Sequence, residues 1–521
     1  MAHEFHRGKT YRTLDEQAER LTPAEERFER GRRTIGLFLG PLLAVVVLLL
    51  PLNLTPQQQT LAAIMVFTIT YWLTEAIPIP VTAVVAMALC VLFGVASVDD
   101  VFAAFGSPTL FVFIGAFIIA EAMTTHGLDR RFAFRVLSLP GVGRSTYGVI
   151  IAFGAIGMSL SAFISNTAAT AMLLPIGLGM MGALSGLITE QTGVSDPTRL
   201  RFGTALMLMI AFGASVGGLI TPIGSPPNLI GIGFIEEQTG TSISFFQWTI
   251  TALPIVLVMF VALCAVLILL NRPEINKIPG AAEYIAEERA ELGRMSRGGR
   301  NTLIVFVIAV TLWILPGVAN LIFGDESGIY TALSDRLDEG VVAIFAAALL
   351  FVLPVDWGQR RFTLNWNQAV SIDWGTILLF GGGIVLGSLL ADTGLAQRLG
   401  EGMVSTLGVS SLLAITVLSV VIAVLISETT SNTASAAVVI PIVIPIAVAA
   451  GVSPVIPALA ATFGASYGFM LPVSTPPNAI VYGSGLIPIT KMVRSGVVFD
   501  LIGIVLVVVG VSLMARLVGI T

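Results

Sequence analysis

The sequence predicts an all-α polytopic membrane protein. About eleven transmembrane helices form two inverted five-helix repeats, each with a re-entrant hairpin and a broken helix. Three observations predict this. Hydrophobic residues make up 55% of the 521 positions and charged residues 11%, with a mean hydropathy of +0.92; soluble domains carry charge on about a quarter of their residues. Apolar runs of about 20 residues, long enough for a bilayer core, recur along the chain. Finally, four short motifs occur twice in the same order. A soluble multidomain enzyme is excluded, and so is a membrane β-barrel built from ten-residue alternating segments.

Taken in order, residues 1–34 form a polar tail of mixed charge, and 35–52 the first helix, which reads as a retained span. The first repeat covers 57–271, with spans at 57–75, 80–96, 107–125, 198–235 and 250–271. A charged linker at 272–300 follows. The second repeat covers 301–519, with spans at 301–322, 340–354, 374–391, 455–487 and 495–519. Two further apolar runs, 145–185 and 409–449, are too long for one span and are interrupted by polar residues. Each is two spans or one re-entrant hairpin.

Charge fixes sidedness without deciding between those two, because both give the same parity. With a cytoplasmic N-terminus, the basic residues of the tail (Arg32 and Arg33 among them), of the 130–144 and 199–201 loops, of the linker and of the later loops fall on one side. Of 27 Lys and Arg residues only Arg336, Arg398 and Arg516 fall outside, along with the acidic loop holding Asp325, Glu326, Asp335, Asp338 and Glu339. Basic loops set orientation. Cys90 and Cys264 lie in apolar runs and support no disulfide framework.

The repeat is read from residues. Phe212-Gly213-Ala214-Ser215-Val216-Gly217 matches Phe463-Gly464-Ala465-Ser466-Tyr467-Gly468, and each precedes a Pro-Pro-Asn, at 226–228 and 476–478. Ser165-Asn166-Thr167-Ala168 matches Ser431-Asn432-Thr433-Ala434. Gly127-Leu128 lies 38 residues before Ser165, and Gly394-Leu395 lies 37 before Ser431. An odd number of spans per copy inverts the second, the signature of secondary transporters with sites on interrupted midplane segments.

Each Ser-Asn-Thr sits in an apolar, small-residue run. An open turn there exposes amide N–H groups at the start of the following helix, where the dipole attracts anions. Each Pro-Pro-Asn removes amide donors and forces the chain to unwind, freeing carbonyls at Gly224 and Ser474. Such carbonyls with Ser, Thr and Asn oxygens suit a hard cation such as Na⁺. No Lys or Arg lies in the middle of any span, so an anionic substrate must be met by neutral donors, dipoles and co-bound cations, which would couple its transport to theirs. Glu75, Glu121, Glu428 and Asp500 are intramembrane acids and functional candidates by position. Glu428, three residues before the second Ser-Asn-Thr, is placed to orient that hairpin or to titrate. No catalytic constellation, metal-ligand cluster, phosphate loop or nucleic-acid patch is visible.

At these residues the chain resembles the divalent anion/sodium symporters, a family carrying dicarboxylates, citrate or sulfate. The resemblance runs from about Tyr71 onward. It rests on Thr74-Glu75-Ala76-Ile77-Pro78, both Ser-Asn-Thr tips and both Pro-Pro-Asn breaks. It implies eleven spans, two re-entrant hairpins, a homodimer and an elevator motion. Position by position, it implies a first sodium site of Ser161, Ser165, Asn166 and the Gly224 carbonyl. The second would use Ser427, Thr430, Asn432 and the Ser474 carbonyl. Substrate carboxylates would meet Ser165, Asn166, Thr167, Asn432, Thr433, Thr475 and Pro476. Thr430 and Ser474 are larger than the alanines often found in the family, which bears on the second sodium site.

The expected function is Na⁺-coupled symport of C4-dicarboxylates (succinate, malate, fumarate) by a homodimer in lipid of a bacterial-type inner membrane. Na⁺ is then cargo, not a prosthetic group, and no catalytic residue is expected. The competing expectations are Na⁺-independent dicarboxylate exchange, a citrate or sulfate carrier, proton coupling through Glu428, and, more remotely, a passive anion channel.

Overall fold

The computed structural model describes residues 23–192, 200–274, 276, 280–407 and 411–520. The tail up to residue 22, Arg199 and Lys277 lie outside the described residues. The described chain is helical apart from one short antiparallel ribbon, Pro354–Asp356 with Arg361–Phe362. Eight helices are long and apolar enough to cross a membrane, and five shorter apolar helices accompany them among the described residues.

Helix α1, Pro23–Leu49, starts well inside what the sequence assigns to the tail. It packs along α2, Pro56–Thr74. There Gly36 and Gly40 approach Thr74 and Tyr71 too closely to admit a side chain. Glu75 ends α2 with φ +48°, a left-handed conformation that non-glycine residues seldom adopt. Pro78 then caps α3, Ile79–Leu92.

The short α4, Val98–Ala103, leads into α5, Pro108–Thr125; then come α6, Leu128–Leu137, and the first hairpin. Its arms are α7, Thr146–Ser161, and α8, Asn166–Thr192. The second half of the chain parallels the first. The counterpart hairpin has arms α19, Leu412–Thr429, and α20, Asn432–Ala449. Each sequence-predicted long run thus breaks at its Ser-Asn-Thr.

The predicted spans 198–235 and 455–487 are each split. The first becomes α9, Arg201–Gly217, and α10, Pro226–Thr239. The second becomes α21, Val455–Ala465, and α22, Pro476–Tyr482. In both, the paired prolines open the second half, where their missing N–H groups have no intrahelical partner to lose.

The remaining long elements are α11 (Phe245–Leu270), the linker helix α12 (Ala281–Glu291), α13 (Arg297–Phe323), α14 (Gly328–Arg336) and α15 (Glu339–Val352). After the four-residue α16 (Trp366–Ala369) come α17 (Trp374–Asp392), α18 (Leu395–Leu407) and α23 (Ile489–Val518). The linker is docked rather than loose: Arg130 pairs with Glu288 at 2.7 Å, and Arg131 donates to the carbonyls of Leu292, Gly293 and Arg294.

The halves interlock around the breaks. Helix α10 packs on α20 and α21, while α22 packs on α8 and α9. Phe212 and Phe469 close the seam edge to face at 4.8 Å. Outside this core, apolar side chains are left bare. Leu501, Val505, Val509, Leu513 and Leu517 recur every four residues on α23, each more than half exposed. An exposed stripe of this length would be unsustainable in water and suits contact with lipid.

Candidate functional site

The first hairpin tip lies between Ser161 and Asn166. Ser165 caps α8, its hydroxyl accepting from the Ala168 N–H at 3.2 Å. Ser431 caps α20 in the same way from Ala434, also at 3.2 Å. A capping hydroxyl of this kind satisfies one of the open amides at a helix start and leaves the others available. Below each tip a serine of the first arm donates to the asparagine five positions on: Ser161 to Asn166 Oδ1 at 2.5 Å, Ser427 to Asn432 Oδ1 at 2.8 Å. Ser427 has a second acceptor, the Ala465 carbonyl, at 2.8 Å.

The breaks are held by their asparagines. Asn228 Nδ2 donates to the carbonyls of Gly218 (2.7 Å) and Thr221 (2.9 Å). Asn478 Nδ2 donates to those of Gly468 (2.9 Å) and Leu471 (3.0 Å). Both asparagines are fully buried, and both side-chain oxygens lack a hydrogen-bond partner among the described residues. Pro227 and Pro477 stand three residues after Gly224 and Ser474 and offer no N–H to those carbonyls. The Asn228 N–H goes to the Ser225 carbonyl and the Asn478 N–H to Thr475 Oγ1.

Tips and breaks meet. A side chain on Gly218 would collide with Asn166 Oδ1. One on Gly224 would lie 2.6 Å from the Gly218 carbonyl oxygen, 2.8 Å from that of Ser161 and 3.1 Å from that of Ala162. The first predicted cation site is therefore a small space walled by carbonyl oxygens and kept open by glycine. The Thr221 hydroxyl closes it by donating to the Ala162 carbonyl.

The second site gathers side chains around Gly468, the counterpart of Gly218, with Ser427 Oγ, Ser474 Cβ and Asn432 Oδ1 at 3.1, 3.2 and 3.3 Å from where its side chain would begin. Its filling differs. Ser474 stands where the first break has Gly224, and its hydroxyl donates into the break, 2.8 Å from the Gly468 carbonyl and 2.6 Å from that of Leu471. Thr430 turns its hydroxyl back onto its own helix, to the Ile426 carbonyl at 2.7 Å. Ser161, Asn166 and Gly224 are thus brought together, and so are Ser427, Asn432 and Ser474. Ser165 and Thr430 make local helix-end bonds.

Of the substrate candidates, Ser165 is exposed, Asn166, Thr167, Asn432 and Pro476 are half-buried, and Thr433 and Thr475 are buried. The first tip is the more open. Glu428 straps the second break, accepting from the N–H groups of Phe469 (2.5 Å) and Met470 (2.9 Å), and its carboxyl meets that of Asp500 on α23. Glu121 accepts from Thr125 at 3.1 Å, and Glu75 lies between Arg32 and Arg33.

Sequence reasoning missed three features. The clamping role of Asn228 and Asn478 was readable only as the recurrence of Pro-Pro-Asn in both copies. The glycine at 218 aligns with Gly468 by the break, one residue out of step with the motif alignment. Arg32 reaches the second hairpin, a contact across 397 residues with no local signal.

The model of the sodium:sulfate symporter transmembrane region matches residues 33–520. The chain belongs to this family. It is a membrane transporter, not an enzyme. A relative named sodium-dependent dicarboxylate transporter SdcS, from Staphylococcus saprophyticus, is 35% identical over 481 residues, covering 91% of this chain and 90% of the relative. The protein of that name from Staphylococcus aureus strain bovine RF122 is 33% identical over 505 residues, covering 96% and 94%. Among solved structures, the YdaH transporter of Alcanivorax borkumensis aligns with a TM-score of 0.49 at 13% identity, over 80% of this chain and 86% of that one.

Proposed function

We propose that this chain couples the import of C4-dicarboxylates, such as succinate, malate or fumarate, to an inward Na⁺ gradient. One observation carries the reading. Each hairpin tip joins a helix break to form an oxygen-walled space, and the two copies are built at matching offsets. Amide groups of the tips serve a carboxylate, and the adjoining carbonyls serve the cation that offsets its charge. The names of the staphylococcal relatives, sodium-dependent dicarboxylate transporters, agree with this.

In this reading, Ser161, Ser165, Asn166 and the Gly224 carbonyl hold one Na⁺, and Ser427, Thr430, Asn432 and the Ser474 carbonyl hold a second. Ser165, Asn166, Thr167, Asn432, Thr433, Thr475 and Pro476 receive the substrate. The two hairpins and two broken helices move as one body in an elevator step. Their mutual packing favours this, with α10 on α20 and α22 on α8. The repeats at 57–271 and 301–519 are inverted, the hairpins re-enter from opposite faces, and the N-terminus is cytoplasmic in a bacterial inner membrane. The working unit is a homodimer in lipid.

Succinate uptake into proteoliposomes with and without an inward Na⁺ gradient tests the reading. Stimulation by Na⁺ is expected; uptake indifferent to Na⁺ but dependent on internal dicarboxylate overturns it in favour of exchange. Ser474 is the feature that favours exchange, because its hydroxyl takes the place that Gly224 leaves open in the first site.

A further inference from the structure

Arg32 sits where two helices end. Its Nη1 donates to the Leu73 carbonyl at 3.3 Å, in the last turn of α2, and to the Thr429 carbonyl at 3.2 Å, at the end of α19. Its Nη2 is held by Glu29 at 2.7 Å and faces Glu75 at 3.6 Å. Arg33 completes the cluster, 3.3 Å from Glu75. Helix α1 thereby grips the α2–α3 turn, whose left-handed Glu75 turns its carboxylate toward both arginines. The same guanidinium reaches the second hairpin, one residue before Thr430 and two after Ser427.

A helix C-terminus carries partial negative charge, and a cation placed there is stabilised. A sodium ion bound by Ser427, Thr430 and Asn432 would draw on the same end of α19. A guanidinium at Thr429 therefore competes electrostatically with that ion. The competition exists only while the tip lies beside α1. A tip carried away from α1 leaves Arg32 with Glu29, Glu75 and the Leu73 carbonyl, and leaves the end of α19 to the sodium ion.

We infer that Arg32 is a tethered cation that takes over the negative end of α19 when the second hairpin is at the face bearing the N-terminus, and so promotes Na⁺ release on that side. This rests on the symport reading above, since it assigns Arg32 a role at the second sodium site. Arg32 is a positioning residue; it acts through the backbone of α19 and not on the substrate.

The test measures the half-saturating Na⁺ concentration for succinate transport separately at each face of proteoliposomes whose protein orientation is known. Arg32→Gln is expected to lower that value about threefold to tenfold at the N-terminal face and leave the opposite face unchanged. Arg32→Lys should restore most of the difference. Glu75→Gln, which keeps the guanidinium charged but removes a carboxylate that competes for it, should shift the same face in the opposite direction. A purely structural role would move both faces together. Equal shifts at the two faces, or none in Arg32→Gln, overturn the inference. Na⁺-indifferent uptake by the unaltered protein instead overturns the symport reading beneath it.

Discussion

Asn228 and Asn478 hold the two helix breaks by the same pair of bonds, each giving its side-chain amide to carbonyls ten and seven residues earlier. A segment that leaves helical geometry within a membrane exposes carbonyls that lipid cannot satisfy. Paired prolines create that problem, and the asparagine that follows them solves part of it. The three-residue motif is therefore a complete device: two residues unwind the chain and the third secures the unwound shape.

Removing a clamp should be costly. Asn228→Ala or Asn478→Ala deletes two buried hydrogen bonds and leaves their acceptors bare, a loss of about 2–4 kcal/mol. The expected result is a lower apparent melting temperature in detergent with transport abolished. Wild-type uptake by either variant would show that the breaks hold themselves.

The two glycines beside the tips should differ in tolerance. Gly218→Ala drives a methyl group into Asn166 Oδ1, the first and closer of the two approaches, whereas Gly468→Ala meets its nearest neighbour at 3.1 Å. Neighbours at that distance need to give only by tenths of an ångström. Gly218→Ala should eliminate Na⁺-dependent uptake, and Gly468→Ala should retain a measurable fraction of it. Equal activities would place the tip of the first hairpin elsewhere.

Much of the fold was legible because a bilayer imposes simple rules. Run length gave the helices, and interruptions at Ser165–Thr167 and Ser431–Thr433 gave the hairpin tips. The prolines gave the breaks to within a few residues. Contacts across the halves were not legible. That α10 would lie on α20, or that Arg32 would reach Thr429, depends on how helices pack, and apolar helices of similar composition carry little sequence record of their partners. Basic residues at a span end were read only as orientation signals, so the one at Arg32 that also meets the site was passed over. Glu428 was legible as a residue that orients the second hairpin or titrates, but its partners were not; its two bonds to the 469–470 amides tie that hairpin to the break.

Substitution at the tips tests the sodium assignment directly. Asn166 and Asn432 each accept from a serine of the other arm, so their side-chain oxygens already point into the hairpin. Asn166→Ala and Asn432→Ala should each abolish Na⁺-dependent binding, read by calorimetry, while size-exclusion profiles stay unchanged. Normal Na⁺-driven uptake in either would remove that residue from the site.

Glu428 separates strapping from proton coupling. A glutamine there keeps a side-chain oxygen for the Phe469 and Met470 amides but cannot exchange a proton. Glu428→Gln should therefore transport with the pH dependence of the unaltered protein, while Glu428→Ala, which leaves both amides unmet, should fail. A Glu428→Gln variant whose uptake no longer responds to pH would revive the proton-coupled alternative.

Acidity should be felt at Glu339, which lies at the loop end of α15, before the apolar run that begins at Val341. Burial pushes its carboxyl up to about 7; the Phe245 N–H that donates to it opposes the rise, and the nearby Asp338 and Glu236 carboxylates add to it. The folded chain thus binds this proton more tightly than the unfolded chain, whose glutamate titrates near the ordinary value of about 4.3. Stability from this group is greatest at low pH and falls as pH rises from the ordinary glutamate range through 7, then levels off. The span corresponds to at most about 4 kcal/mol. Glu339→Gln keeps the acceptor for Phe245 and cannot ionise. Its apparent melting temperature should exceed that of the unaltered protein above pH 7, with the two converging near pH 5. Parallel melting curves across that range would show that Glu339 is already ionised at the lower pH.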